Sequence, residues 1–141
     1  MLHHMKYLFS FVIVFISIQG WTQSYSTVNY LDSQFRVVEK KKEASFERNL
    51  THLGDSLYLA VIQDNQGNFK SEGAYVFTND RFVENGEFIF YHLNGQIESR
   101  GYYSLGVKTG EWERYMSNGA PKASRYYAPE SADPIRQAMK N

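Results

Sequence analysis

Two histidines, His52 and His92, and two acids, Glu87 and Glu111, are the residues best equipped here to move protons or hold a metal. General acid–base work needs such groups to converge on one reacting atom, and a metal needs several of them at ligand spacing. The histidines lie 40 residues apart, and neither belongs to a ligand motif. His92 occupies the position that Met116 takes 24 residues later in an internal repeat, so it reads as a hairpin-tip residue. Glu87 and Glu111 recur with the same repeat, which points to a structural place rather than an acid–base pair. His3 and His4 precede an apolar leader and are poor ligand candidates. No serine sits in a nucleophile-elbow context, and no Gly-rich loop leads from a strand into a helix. The expectation is a protein that is not an enzyme, with no catalytic residue, cofactor or metal site. A cleft gathering His52, His92 and an acid would revive the enzyme reading. The best candidates for contact chemistry are Glu98, Arg100 and Tyr102, which alternate onto one face of a predicted strand. Exposed Tyr and Arg are favoured at interfaces. The competing reading is an ordinary solvated sheet face.

The elements that would carry these residues repeat. Placing Gly86 on Gly110 superposes Glu87 on Glu111, Phe88 on Trp112, Tyr91 on Tyr115, Asn94-Gly95 on Asn118-Gly119 and Tyr102-Tyr103 on Tyr126-Tyr127. A further copy lies 28 residues upstream, with Gly67, Phe69, Ser71, Gly73 and Tyr75 falling on Gly95, Ile97, Ser99, Gly101 and Tyr103. The four additional residues fall in "TNDRFVEN", read as a loop insertion. Each copy reads as a β-hairpin, with Asn-Gly closing a type I′ turn whose two central residues need positive φ. In the second strand Ile97, Ser99, Gly101 and Tyr103 share one face, as do Pro121, Ala123, Arg125 and Tyr127 in the last copy. Apolar ends bracket small middles there, so Phe88 or Trp112 from a neighbouring strand should lie across the small residues. Arg125 breaks the pattern and marks the last repeat as an edge. Trp112 and Tyr115 are three apart, which requires either a bulge or aromatics on both faces. A single such hairpin cannot bury enough apolar surface to stand alone, so consecutive copies must share a sheet. Trp112, Tyr91, Tyr103 and Tyr115 are accordingly expected in the core.

The stretch "GEFIFYHLNGQIESRGYYSLGVKTGEWERYMSNG" resembles the bacterial variant of the MORN repeat, in its Gly-x-Trp-x-x-Tyr, Asn-Gly and Tyr-x-x-Gly-x-x-x-Gly spacing. Gly110 to Tyr115 carries the signature, and Gly86 to Tyr91 carries it with Phe88 in place of Trp. Residues from about Tyr30 onward are similar to the leader that precedes such repeats in exported proteins of Gram-negative bacteria, some of them TonB-type energy transducers. No stretch here resembles the TonB C-terminal domain, so that activity is not implied. Relatives of the repeat are often labelled antitoxins, a label that fits badly with export. Eukaryotic MORN repeats are linked with phospholipid and protein binding.

The remaining sequence sets the context. Residues 1–22 read as a secretory signal peptide, with Lys6, an apolar run from Tyr7 to Ile18 and small residues before an expected cleavage after Thr22. Removing them takes one cation from 15 Lys plus Arg and nothing from 15 Asp plus Glu, leaving a charge of about −1. Near-neutrality and export both argue against nucleic acid. With no cysteine, no disulfide can brace the chain. The organisation expected is a leader over 23–56, repeats over 57–85, 86–109 and 110–127, and a tail over 128–141. Within the leader, "STVNYLDSQFRVV" reads as two short strands around Asp32-Ser33, and the chain as strand-like from Ala44. Lys40, Lys41 and Lys42 read as a solvated tip flanked by Glu39 and Glu43. The tail is either frayed or a short helix capped by Asp133 that covers the last strand. The fold expected is all-β, an elongated twisted meander of antiparallel hairpins. The function expected is a non-catalytic interaction or scaffold module in the cell envelope, binding protein. The alternatives are an envelope lipid or glycan binder, and an antitoxin or immunity protein for a neighbouring gene product.

Overall fold

The computed structural model describes residues 26–129. The expected signal peptide and the expected helix at Asp133 lie outside the described residues. Phe, Tyr, Val and Thr fill the segments between turns and favour a pleated, half-buried surface. The strands are β1 (Ser26–Leu31), β2 (Val37–Val38), β3 (Phe46–Gly54), β4 (Leu57–Asp64), β5 (Phe69–Thr78), β6 (Arg81–Tyr91), β7 (Ile97–Ser104), β8 (Val107–Tyr115) and β9 (Pro121–Tyr127), with a 3-10 turn at Lys41–Glu43. They form one sheet in the order β2-β1-β3-β4-β5-β6-β7-β8-β9, every neighbour antiparallel. The all-β meander expected from the sequence is therefore what the chain builds, including the paired strands around Asp32-Ser33. Strand β9 lies at the edge, where Arg125 interrupts the repeat.

Four turns at one end of the sheet share a geometry. The N–H groups of Asp32, Asp64, His92 and Met116 donate to the carbonyls of Arg36, Asn68, Gln96 and Ala120 at 2.8–3.0 Å. Each of these turns has one left-handed residue: Phe35 (φ 60°), Gly67 (84°), Gly95 (81°) and Gly119 (83°). Asn94 and Asn118 do not have positive φ, so the expected type I′ assignment is corrected to a longer loop in which one residue takes the left-handed position. The asparagines act through their side chains instead. Asn94 Oδ1 accepts the Gln96 N–H at 3.2 Å, and Asn118 Oδ1 accepts that of Ala120 at 3.0 Å. Paired left-handed residues occur at the other end of the sheet. There Asn79 (49°) and Asp80 (57°) join β5 to β6, while Leu105 (47°) and Gly106 (83°) join β7 to β8. The four-residue insertion is likewise not a loop. It lengthens β5 and β6 to 10 and 11 residues, against 8 and 9 in β7 and β8.

Packing explains the small residues in β5 and β7. A Cβ on Gly73 would lie 2.5 Å from the Phe88 ring, and one on Gly101 would lie 2.5 Å from the Trp112 ring. Those rings are laid flat across backbone, as the alternation of β7 predicts. They are positioned by register shifts in β6 and β8, which fall between the pairs Gly73–Phe88 and Tyr75–Glu84, and between Arg100–Glu113 and Tyr102–Thr109. The tyrosines at the strand ends then meet the rings edge-on. Tyr75–Phe88, Phe88–Tyr103, Tyr103–Trp112 and Trp112–Tyr127 have centroids 5.2, 4.9, 5.2 and 6.3 Å apart, with planes crossing at 68–87°. Such pairs contribute roughly 0.5–1.5 kcal/mol each beyond their burial. Phe88 and Trp112 are buried, as are Leu50 and Ala60. Tyr91 and Tyr115 depart from expectation. Tyr91 donates to Glu72 Oε1 at 2.6 Å and Tyr115 donates to Glu113, so both hydroxyls bond acids instead of joining the ring row. The sheet thus carries aromatics on both faces, with the buried row on one.

Two substitutions check this account by urea or thermal denaturation. Gly95→Val should cost more than about 1 kcal/mol, because a β-branched residue is forced into positive φ. Gly101→Ala should cost roughly 1–3 kcal/mol through overpacking against Trp112. In a Trp112→Ala background the same Gly101→Ala change should cost much less. Equal costs in the two backgrounds would rule out the ring-on-glycine contact.

Candidate interaction face

The buried row leaves two depressions beside it. The larger, about 430 Å³, is bordered by Arg48, Tyr75, Glu84, Phe88, Phe90 and Tyr103. Its lining combines aromatic side chains with a few charged groups, which is the usual composition of a binding site. Arg48 is buried, donates to Asn29 Oδ1 at 2.9 Å, and lies 5.3 and 5.2 Å from the centroids of Tyr75 and Phe82. Its Nε makes no hydrogen bond among the described residues. The smaller depression, about 200 Å³, lies between β7, β8 and β9 and is bordered by Glu98, Lys108, Trp112, Arg114, Lys122 and Arg125. Lys108 Nζ sits 3.8 Å above the Trp112 ring and within 6 Å of the centroids of Phe90, Tyr103 and Tyr127. Burial among those rings depresses the Lys108 pKa from its ordinary value, while the Glu98 carboxylate works in the opposite direction.

The three candidate contact residues do not share a face. The pairing Phe90–Ser99 is followed by Tyr91–Ile97, so Glu98 is the additional residue of a bulge. Bulged this way, Glu98 borders both depressions on the aromatic side. Arg100 remains on the opposite side, where its Nε donates to Glu113 Oε2 at 2.7 Å and holds the Glu113 carboxyl below its usual range. Tyr102 is exposed on that same side. Simple alternation failed because the bulge shifts the phase by one residue. The bulge recurs at Lys70 in the first copy, whereas in the last copy the register shift falls after Lys122, which is paired with Arg114.

The histidines are held apart. His52 Nε2 lies 2.8 Å from the Asp55 carbonyl at one end of the sheet, and His92 Nε2 lies 3.1 Å from the Tyr115 carbonyl at the other. Among the described residues no group of three or more His, Cys, Asp or Glu is placed to hold a metal. Lys41 in the basic run is paired with Glu47 at 2.6 Å. Sequence reasoning missed Arg48 and Lys108. The alternation of Phe46, Arg48 and Leu50 toward the sheet interior could have found the first. The substitution of Lys108 for Glu84 at one repeat position could have found the second.

No protein-family model, curated protein or solved structure matches this chain.

Three tyrosines give this region an alkaline limit. Burial pushes Tyr75 and Tyr103 from 10.0 up to about 12, and burial with the Glu72 hydrogen bond does the same for Tyr91. A phenol raised in the folded state contributes stability that is complete below the unfolded value and is lost as pH rises through the folded one. Stability should therefore fall between pH 10 and about 12, and Tyr75→Phe should make that fall shallower. Denaturation midpoints measured across the window check this. A flat profile would show that these phenols are not buried as described.

Proposed function

We propose that this protein is an exported, non-catalytic interaction module of the cell envelope and that its partner is a protein. The carrying observation is a row of rings on a single-layer sheet, flanked by open depressions and covered by no other described element. A face of rings interspersed with charged groups has the composition of a protein interface centre, enriched in aromatic and Arg side chains. The order of charge, apolar run and small residues in 1–22 supports export. The MORN-like spacing of Gly86 to Tyr127 supports a repeat scaffold whose role is recognition. A second reading, an envelope glycan or lipid, draws support from the 430 Å³ depression, which falls within the roughly 300–1,000 Å³ of small-ligand sites.

Affinity capture with the full chain from an envelope fraction, with retained proteins identified by mass, tests the proposal. Phe90→Ser, beside the larger depression, should lose the retained partner. Leu59→Ser, an exposed residue outside that lining, should keep it. Retention by both variants would sink the aromatic-face reading. Wild-type chain that retains no protein would sink the interaction reading, and retained lipid or glycan in its place would favour the second.

A further inference from the structure

We infer that the depression along β8 and β9 binds the carboxylates of an acidic, extended peptide segment of the partner protein. This deepens the proposed function and rests on it. The first observation is a local departure from the repeat. Lys108, Arg114, Lys122 and Arg125 border the depression, and the residues 24 positions earlier are Glu84, Phe90, Glu98 and Gly101. All four positions therefore carry cations where the residues 24 earlier carry none: Lys108 closes the second copy, Arg114, Lys122 and Arg125 lie in the last, and the Lys122 position is matched by Lys70 in the first. Glu98 is the one acid in the lining, in a chain whose formal charge is zero.

The second observation is that like charges face each other here. Arg114 and Lys122 are direct cross-strand partners, an arrangement in which like charges repel. Arg114, Lys122 and Arg125 make no ion pair among the described residues. An anion entering between them would relieve that repulsion. Blunting of a sheet edge by charge is the competing account, since Lys and Pro are common devices on edge strands. It covers Lys122 and Arg125 on β9. It does not cover Lys108 and Arg114, which lie on β8, one strand in from the edge.

The third observation selects the kind of anion. The cations are arranged in levels along the strand direction. Arg114 and Lys122 form one level, and Arg125, opposite Trp112, forms the next, two residues along β8. Two residues of a strand span roughly 6.6 Å, which is also the spacing of same-face side chains in an extended peptide. Acids at alternate positions of such a peptide would meet successive levels. Among the described strands β9 is paired on one side only, the geometry on which strand addition builds. The depression, at about 200 Å³, is smaller than whole-ligand sites and suits individual side chains.

The test is fluorescence anisotropy of a labelled ten-residue peptide alternating Glu and Val, titrated with the full chain. A peptide of the same composition with all Glu contiguous, and a Gln–Val version, serve as comparisons. The alternating peptide should bind best, and added salt should weaken it. Arg114→Gln with Lys122→Gln should weaken binding at least about tenfold, the scale of losing charge-assisted hydrogen bonds. Lys40→Gln with Lys42→Gln, outside the depression, should leave binding unchanged. Circular dichroism establishes that each variant is folded. Equal binding of the contiguous peptide, no binding, or equal loss in the control variant would overturn the inference. So would phosphatidylglycerol vesicles that bind through Arg114 and Lys122 while the peptide does not. If the Arg114/Lys122 variant self-associates in sedimentation with unchanged peptide affinity, edge protection is the correct account. An envelope partner retained by wild type and by this variant alike would leave the interaction module standing and remove this site.

Discussion

Everything in this sheet depends on how closely a large ring can approach bare backbone. Phe88 over Gly73 and Trp112 over Gly101 are contacts that any side chain at the glycine would forbid. With no second layer among the described strands, the usual way to bury a sheet's apolar face is missing. The rings solve this by lying down. Each covers its neighbouring strand and is in turn flanked by tyrosine edges. The hydrophobic interior is therefore one side chain thick and runs across the strands. A hairpin alone would present half of such a contact, which is why the units occur in series.

The sequence made much of this legible, because the contacts leave compositional traces. Glycine at the second-strand middles of the first two copies, with an aromatic at a fixed offset, predicts the ring-on-glycine packing, and its replacement by Arg125 in the last predicts the edge. The turns were legible in place but not in type. Asn-Gly scores as a type I′ turn, yet here Asn94 uses its side-chain oxygen where positive φ was expected. Dipeptide identity reports that a turn is present, whereas loop length is set by pairing that only the fold fixes. The insertion before Gly86 failed for a related reason. Polar residues read as loop, but "TNDRFVEN" contains a two-residue turn flanked by strand. The face of Glu98 failed because a bulge has no strong signature in single-residue alternation, and the added residue brought Glu98 to the aromatic side while Arg100 and Tyr102 kept theirs.

Charge is segregated in a way that composition conceals. Equal numbers of acids and bases describe a neutral chain. On the sheet, Arg100, Glu113 and Tyr115 close a local network on one side. On the other side, the C-terminal end of the ring row is ringed by cations, one of which already rests on Trp112. A repeat keeps its structural residues and varies the rest, so such variation is where an array acquires individual character. The four changed positions along β8 and β9 are that variation.

Arg125 deserves to be seen also as a terminator of growth. An additional unit of the same kind would have to lay its own aromatic ring on the residue in that place, and a guanidinium stem leaves no bare backbone to receive it. The array is thereby counted by a single side chain. Copies of this molecule cannot extend one another end to end through β9 with the packing used inside the sheet.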